Sequence, residues 1–276
     1  MGQTQDFQEF VDSNADVAAA GRVRLRSKGA VLQQSVDGGG WVNVPIGLAD
    51  QSTIERFRVI ASSFLGSDFG DWREDFIGAG NFDSTANNTA LSLAIANPGG
   101  GKYQFTVGAG TGWEYHAANG YPLCGDVAAD PWMLAWKGCI TTMSSTFEMA
   151  MMGWVKWQAT PHYWLIGGAD GASQYMYVGV LGSTSQTTIV VTIWDGTTQR
   201  VQDTLIPITV GIDQEVILVH DGMSTMYLIV NGVVSWSSSD MRNIGPGTAG
   251  IPMFCGRNGA NAAKVIHDTM YAAGAR

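Results

Sequence analysis

The sequence predicts an all-β fold, an antiparallel jelly-roll β-sandwich, and three observations lead there. The stretch Glu215–Trp236, EVILVHDGMSTMYLIVNGVVSW, reads as three short strands, Glu215–His220, Thr225–Val230 and Val233–Trp236. Asp221-Gly222 and Asn231-Gly232 separate them, and Asn-Gly between apolar runs signals a two-residue type I′ turn, which needs positive φ at both positions. Second, both alternating side-chain sets of the first strand are apolar, Val216 and Leu218 against Ile217 and Val219. Such a strand is buried on more than one side, as in a sandwich rather than a single solvated sheet. Third, strand patterns recur at short spacing along most of the chain, with no convincing long helix.

The bulk composition agrees. A chain of 276 residues has length for one large all-β domain or two smaller ones, with ample core. Charged residues are 14% of the chain, against about a quarter in ordinary domains. Glycine, at 36 residues, and tryptophan, at 10, are both abundant, a balance that fits a sandwich surfaced with Ser, Thr, Asn and Gln. The net charge of −9 argues against a nucleic-acid partner, because phosphate neutralisation needs clustered cations. Arg22, Arg24, Arg26 and Lys28 form a basic run, but a short one.

The opening segment MGQTQDFQEF has neither the positive nor the apolar region of a secretory signal, and Asp6 stands where a myristoylation motif has Ser or Thr. No apolar run approaches the ~20 residues of a membrane helix, so membrane insertion is not expected. Cys124, Cys139 and Cys255 lack metal-ligand spacing and read as buried free thiols, with a Cys124–Cys139 bridge as the alternative.

Taken in order, residues 1–20 read as an arm, with Phe7, Phe10 and Val11 on one face of a short, polar helix that would order against a partner. Residues 21–47 read as a small β-meander. Arg22-Val23-Arg24-Leu25-Arg26 alternates, Ser27-Lys28-Gly29 turns, Val31–Val36 alternates, and Asp37-Gly38-Gly39-Gly40 turns into Trp41-Val42-Asn43-Val44. A unit this small wants another surface to cover it. The run GRVRLR through DGGGWVNV resembles the small meander near the N-terminus of many tailed-phage virion proteins, fibres and decoration-type appendages among them. That resemblance implies an anchoring role for the N-terminal region, with Phe7, Phe10, Arg22, Arg24, Arg26 and Trp41 as assembly residues. It also implies other virion proteins as partners and the virion as location.

Residues 48–69 read as a linker, within which Gln51–Phe64 fits a helix or a strand equally. The sandwich then spans 70–276. Its expected strands are Asp75–Gly78, Leu91–Ala96, Tyr103–Val107, Phe147–Trp157, Tyr163–Gly167, Tyr175–Leu181, Thr187–Trp194 and Arg200–Thr204, followed by the opening meander, Gly250–Phe254 and Lys264–Tyr271. Pro98-Gly99-Gly100-Gly101, Asp170-Gly171, Gly182-Ser183 and Asp195-Gly196 punctuate them. His220-Asp221-Gly222 through Val230-Asn231-Gly232-Val233 resembles the strand pair of the concanavalin A-like and laminin-G-like family. That family holds lectins, hydrolases and scaffolds, so the resemblance implies a fold before a function.

The chemistry is sparse. Glycosidases need two carboxylates about 5–10 Å apart, and the family's catalytic strand carries acids at alternating positions. The comparable strand here, Phe147–Gly153, carries Glu148 with Met149, Met151 and Met152 around it. There is no Gly-x-Ser-x-Gly elbow, and His116, His162, His220 and His267 are scattered. No enzymatic activity, catalytic residue or cofactor is expected. Calcium would need several converging oxygens. Asp170, Asp195, Asn258 and Asn261 make no dense loop, read more simply as turn formers, and no metal site is expected.

Aromatics are the other means of holding a sugar, through its apolar ring face. Trp132, Trp136, Trp154, Trp157 and Trp164 read mainly as core or oligomer interface. Trp113 and Tyr115, in a loop-like Gly-rich setting, and Trp194 beside a turn are the exposed glycan-binding candidates, with Asp195 and Asp170 nearby in sequence. The leading expectation is a non-enzymatic, homo-oligomeric structural component of a phage virion. The alternative is an adhesin that binds a host surface glycan, and a glycan hydrolase ranks last.

Overall fold

A computed structural model describes residues 23–28, 31–36, 40–43, 53–66, 68–75, 82–86, 102–107, 113–118, 123–143, 148–156, 174–181, 185–195, 197–223, 225–239, 249–257 and 263–275. Elements are numbered in chain order. A small sheet comes first, β1 (Val23–Lys28), β2 (Val31–Val36) and β3 (Val42–Asn43), followed by helix α1 (Thr53–Leu65). The front sheet runs β12 (Gln199–Pro207), β11 (Ser185–Trp194), β10 (Tyr175–Leu181), β9 (Glu148–Lys156), β16 (Gly250–Arg257), β7 (Trp113–Ala118), β5 (Phe82–Ala86). The back sheet runs β15 (Val233–Ser238), β14 (Met226–Val230), β13 (Gln214–Asp221), β8 (Pro131–Thr142), β17 (Ala263–Ala275), β4 (Phe69–Glu74). β6 (Tyr103–Val107) also pairs with β17, on the stretch before β4 joins it. All these pairings are antiparallel, and the fold is the β-sandwich expected from the sequence.

The core between the sheets takes alternate residues of β8, β13, β10 and β11. β8 sends in Trp132, Leu134 and Trp136, β13 sends Val216 and Leu218, β10 sends Met176, Val178 and Val180, and β11 sends Ile189, Val191 and Ile193. The Asn-Gly turn is as expected, with Asn231 at φ 49° and Gly232 at φ 81° between β14 and β15.

The two-sided burial of β13 has a more specific cause than a sandwich alone. Ile217 and Val219 face away from the front sheet, into a second core with Met133, Ala135, Tyr227, Ile229, Tyr271 and Ala273. Helix α1 covers that face with Phe57, Ile60, Ala61 and Phe64, all fully buried, and Leu32 of β2 joins them. Positions i, i+3, i+4 and i+7 form one helical stripe, which is why residues 53–65 are helix rather than strand. Gly66, at φ 83°, ends it by donating its N–H to the Ser62 carbonyl. Burying each large apolar side chain in that stripe is worth about 1.5–3 kcal/mol. The stretch expected as a linker therefore contributes a third layer.

A bidentate ion pair pins this layer, with Arg56 of α1 donating to both carboxylate oxygens of Glu215 at the start of β13. Lys137 of β8 adds bonds to Thr53 at 3.3 Å and to Asp268 at 3.2 Å. Burial pushes the Glu215 carboxyl above its usual range, against the opposing pull of Arg56 and Lys137.

Several expectations need correction. β8 was not anticipated, because PWMLAWKGCITT lacks alternation: Trp132–Trp136 are buried on both faces. Gly138 sits within it for a packing reason, since a Cβ there would meet the Ile266 carbonyl oxygen and the Trp136 ring. The first described strand of the sandwich is Phe69–Glu74, and of the expected strand Asp75–Gly78 all but Asp75 lies outside the described residues. The expected strands Leu91–Ala96 and Tyr163–Gly167, like Phe7, Phe10, Arg22, Trp157, Trp164 and Asp170, lie outside the described residues.

Candidate functional site

The turn that joins β11 to β12 follows a half-buried aromatic, Trp194. Trp194 ends β11 opposite Gln199, and the turn between them is built by Asp195. Its Oδ1 accepts the amide N–H of Thr197 at 2.9 Å and of Thr198 at 2.8 Å, while its own N–H donates to the Thr198 carbonyl. Gln174, just before β10, donates to the Asp195 carbonyl at 2.8 Å and ties the turn to the next strand. Hydrogen bonds from Thr198 and then Thr197 hold the Asp195 carboxyl below the usual carboxylate range. Asp195 is thus a turn former, as its sequence setting suggested.

Three rings stack beside this turn. Trp194 and Tyr175 lie in register on adjacent strands, with centroids 6.5 Å apart and planes 19° apart. Tyr175 and Tyr177, alternate residues of β10, stack at 6.0 Å and 20°. Strand alternation explains the set: Met176, Val178 and Ile193 point into the inter-sheet core, so Tyr175, Tyr177 and Trp194 take the outward face of the front sheet. Both tyrosines are buried, whereas Trp194 is half-buried at the end of the series. The sequence pointed to Trp194 but missed its two backing tyrosines, whose i, i+2 spacing in YMYVGV carried the signal.

Trp113 and Tyr115 belong to strand β7, not to a loop. Flanking glycines, Gly110, Gly112 and Gly120, disguised a six-residue strand. The register places residue 115 opposite Cys255 and residue 113 opposite Arg257, and those pair in turn with Ala150 and Glu148 of β9. Following the rows to Gly179 and Leu181 of β10 puts positions 113 and 115 on the same outward face as Tyr175 and Trp194. Strands β16, β9 and β10 separate them from β11, so the structure does not bring them to the Trp194 turn.

His220 and His267 serve the framework. Buried His220 stacks on Trp132 with centroids 5.4 Å apart, and its Nδ1 lies 3.0 Å from the Asp130 carbonyl oxygen. Buried His267 accepts the Trp136 indole N–H at Nδ1, 2.9 Å away, so that nitrogen carries no proton. Cys124 and Cys139 are free and buried, and burial raises both thiols above their ordinary value. Among the described residues, no group of three or more His, Cys, Asp or Glu is placed to hold a metal ion. Of the N-terminal residues, Trp41 is half-buried just before β3, and positions 24 and 26 lie in β1.

No protein-family model matches the chain, and no curated protein matches it in sequence. Its fold does match solved structures. Peanut lectin with a 9mer peptide aligns at a TM-score of 0.52 and 9% identity, over 75% of this chain and 98% of that one. The carbohydrate recognition domain of Emp47p aligns at 0.51 and 12% identity, over 76% and 99%. At such identities the likeness is one of fold, and the fold is that of lectin-type carbohydrate-recognition domains.

Proposed function

We propose that this chain is a non-catalytic glycan-binding module, in which Trp194 offers its indole face to a sugar ring. The observation that carries the reading is the stacked series Trp194–Tyr175–Tyr177, with two buried rings behind a half-exposed one. A ring held on one side by other rings is pre-oriented, so little side-chain entropy is lost when a sugar docks. The lectin-type sandwich supports the same reading. Trp194→Ala should lower affinity for the best ligand on a glycan array by about tenfold or more, the scale of losing one well-packed aromatic contact. Circular dichroism and Tm should stay near those of the wild type, and unchanged binding by the variant would remove Trp194 from the site. Release of reducing ends from a bound polysaccharide would instead make the module an enzyme.

A second reading places the protein in a phage virion, as a homo-oligomeric appendage attached through its N-terminal region to other virion proteins. The resemblance of residues 21–44 supports it, and so does position. The meander and α1 lie against the back sheet, on the opposite side of the sandwich from Trp194, so attachment and glycan binding do not compete. The test is removal of residues 1–20 alone, because Leu32 is part of the core beneath α1. Normal incorporation of that variant into particles would contradict anchoring by the arm.

A further inference from the structure

We infer that the Trp194 rim selects its ligand by charge, accepting uncharged glycans and disfavouring those that carry a carboxylate or sulfate, with Asp195 as the specificity-determining residue. The inference rests on the glycan-binding reading of the same site. Asp195 directly follows the stacking ring, and both backbone N–H groups that grip Oδ1 fix it in place. The carboxylate is ionised throughout the physiological range, because those bonds hold it below its usual range. An ionised carboxylate is acceptor-only. Its negative charge repels an anionic substituent, whereas a neutral sugar on the ring meets no such penalty.

Among the described residues, the surrounding charges do not reverse this. Arg200 places Nη2 4.0 Å from Oδ2, too far for a hydrogen bond, and its side chain is 44% exposed. It pairs in register with Ile193, which faces the inter-sheet core, whereas neutral Gln199 shares the row of Trp194. Asp203, further along β12, adds a second acid, fixed by Thr188 Oγ1 at 2.6 Å and the Leu205 N–H at 2.9 Å. The margin β11–β12 thus carries two acids, Asp195 and Asp203, around one arginine. A ligand on Trp194 lies within about 8 Å of Asp195, roughly a Debye length at physiological salt, so the repulsion is only partly screened.

The experiment compares matched glycans on an array and then in titration calorimetry, each neutral oligosaccharide beside its sialylated and its sulfated derivative. For the best neutral binder, the anionic partners should bind about fivefold or more weakly at low salt, with the gap closing near 0.5 M salt. Asp195→Asn keeps the Oδ1 acceptor of the turn and removes the charge. It should narrow the gap while leaving neutral binding within about twofold, as expected for a charge acting on specificity rather than on the stacking contact. Equal or tighter binding of the anionic partners, or a gap unchanged by Asp195→Asn, would overturn the inference and leave glycan binding standing. Failure of all three classes to bind would overturn both.

Discussion

Glu215 shows how differently a buried carboxylate and a half-buried one on a turn behave in one chain. Asp195 lies on a turn and gains from being charged, whereas Glu215 sits under α1, where desolvation outweighs the help of Arg56 and Lys137. A carboxyl whose folded-state value is raised stabilises the fold below its ordinary 4.5 and loses that contribution as pH rises through the folded value. The stability of the wild type relative to Glu215→Gln should therefore fall as pH rises from the ordinary 4.5 toward neutrality. Denaturant melts of both proteins across that span measure it. A wild type that gains on the variant with rising pH would mean that the Arg56 pair overcomes burial. Sequence alone singled out neither Arg56 nor Glu215, because the two are 159 residues apart and only the fold joins them.

Helix α1 is the element whose role changed most between sequence and structure. Its stripe Phe57, Ile60, Ala61, Phe64 was visible, but Val59 beside it left strand equally open, and only the bare face of the back sheet decides for helix. Phe57 also meets Tyr271 of β17, with ring centroids 6.2 Å apart. Phe57→Ala should cost about 3–5 kcal/mol in chemical denaturation, the range for deleting a buried aromatic ring. A loss of less than about 1 kcal/mol, the level of a surface substitution, would show that the helix is not a core layer. β8 presents the opposite case, a central strand with no readable period. Periodicity reports a difference between two faces, and a strand packed between a sheet core and a helix has none.

Across the whole molecule, what could be read in the sequence was set by turn chemistry. Asp221-Gly222 and Asn231-Gly232 mark β13, β14 and β15 within a residue or two, and from them the sandwich follows. The site was legible only in part. Trp194 stood out beside Asp195-Gly196, but its tyrosine backing depends on register between β10 and β11, which no local pattern specifies. The same register shows positions 113 and 115 sharing a sheet face with Trp194 yet belonging to a distant strand. Layering then divides the molecule, with the N-terminal elements against the back sheet and the stacked rings on the outward face of the front sheet. The most direct test of glycan binding at this face follows the Trp194 indole N–H by NMR, assigned by its absence in Trp194→Phe, while the best neutral glycan is titrated in. The result expected is a saturable shift of that resonance, with the same dissociation constant as calorimetry gives. Saturable glycan binding that leaves the Trp194 resonance unmoved would contradict it.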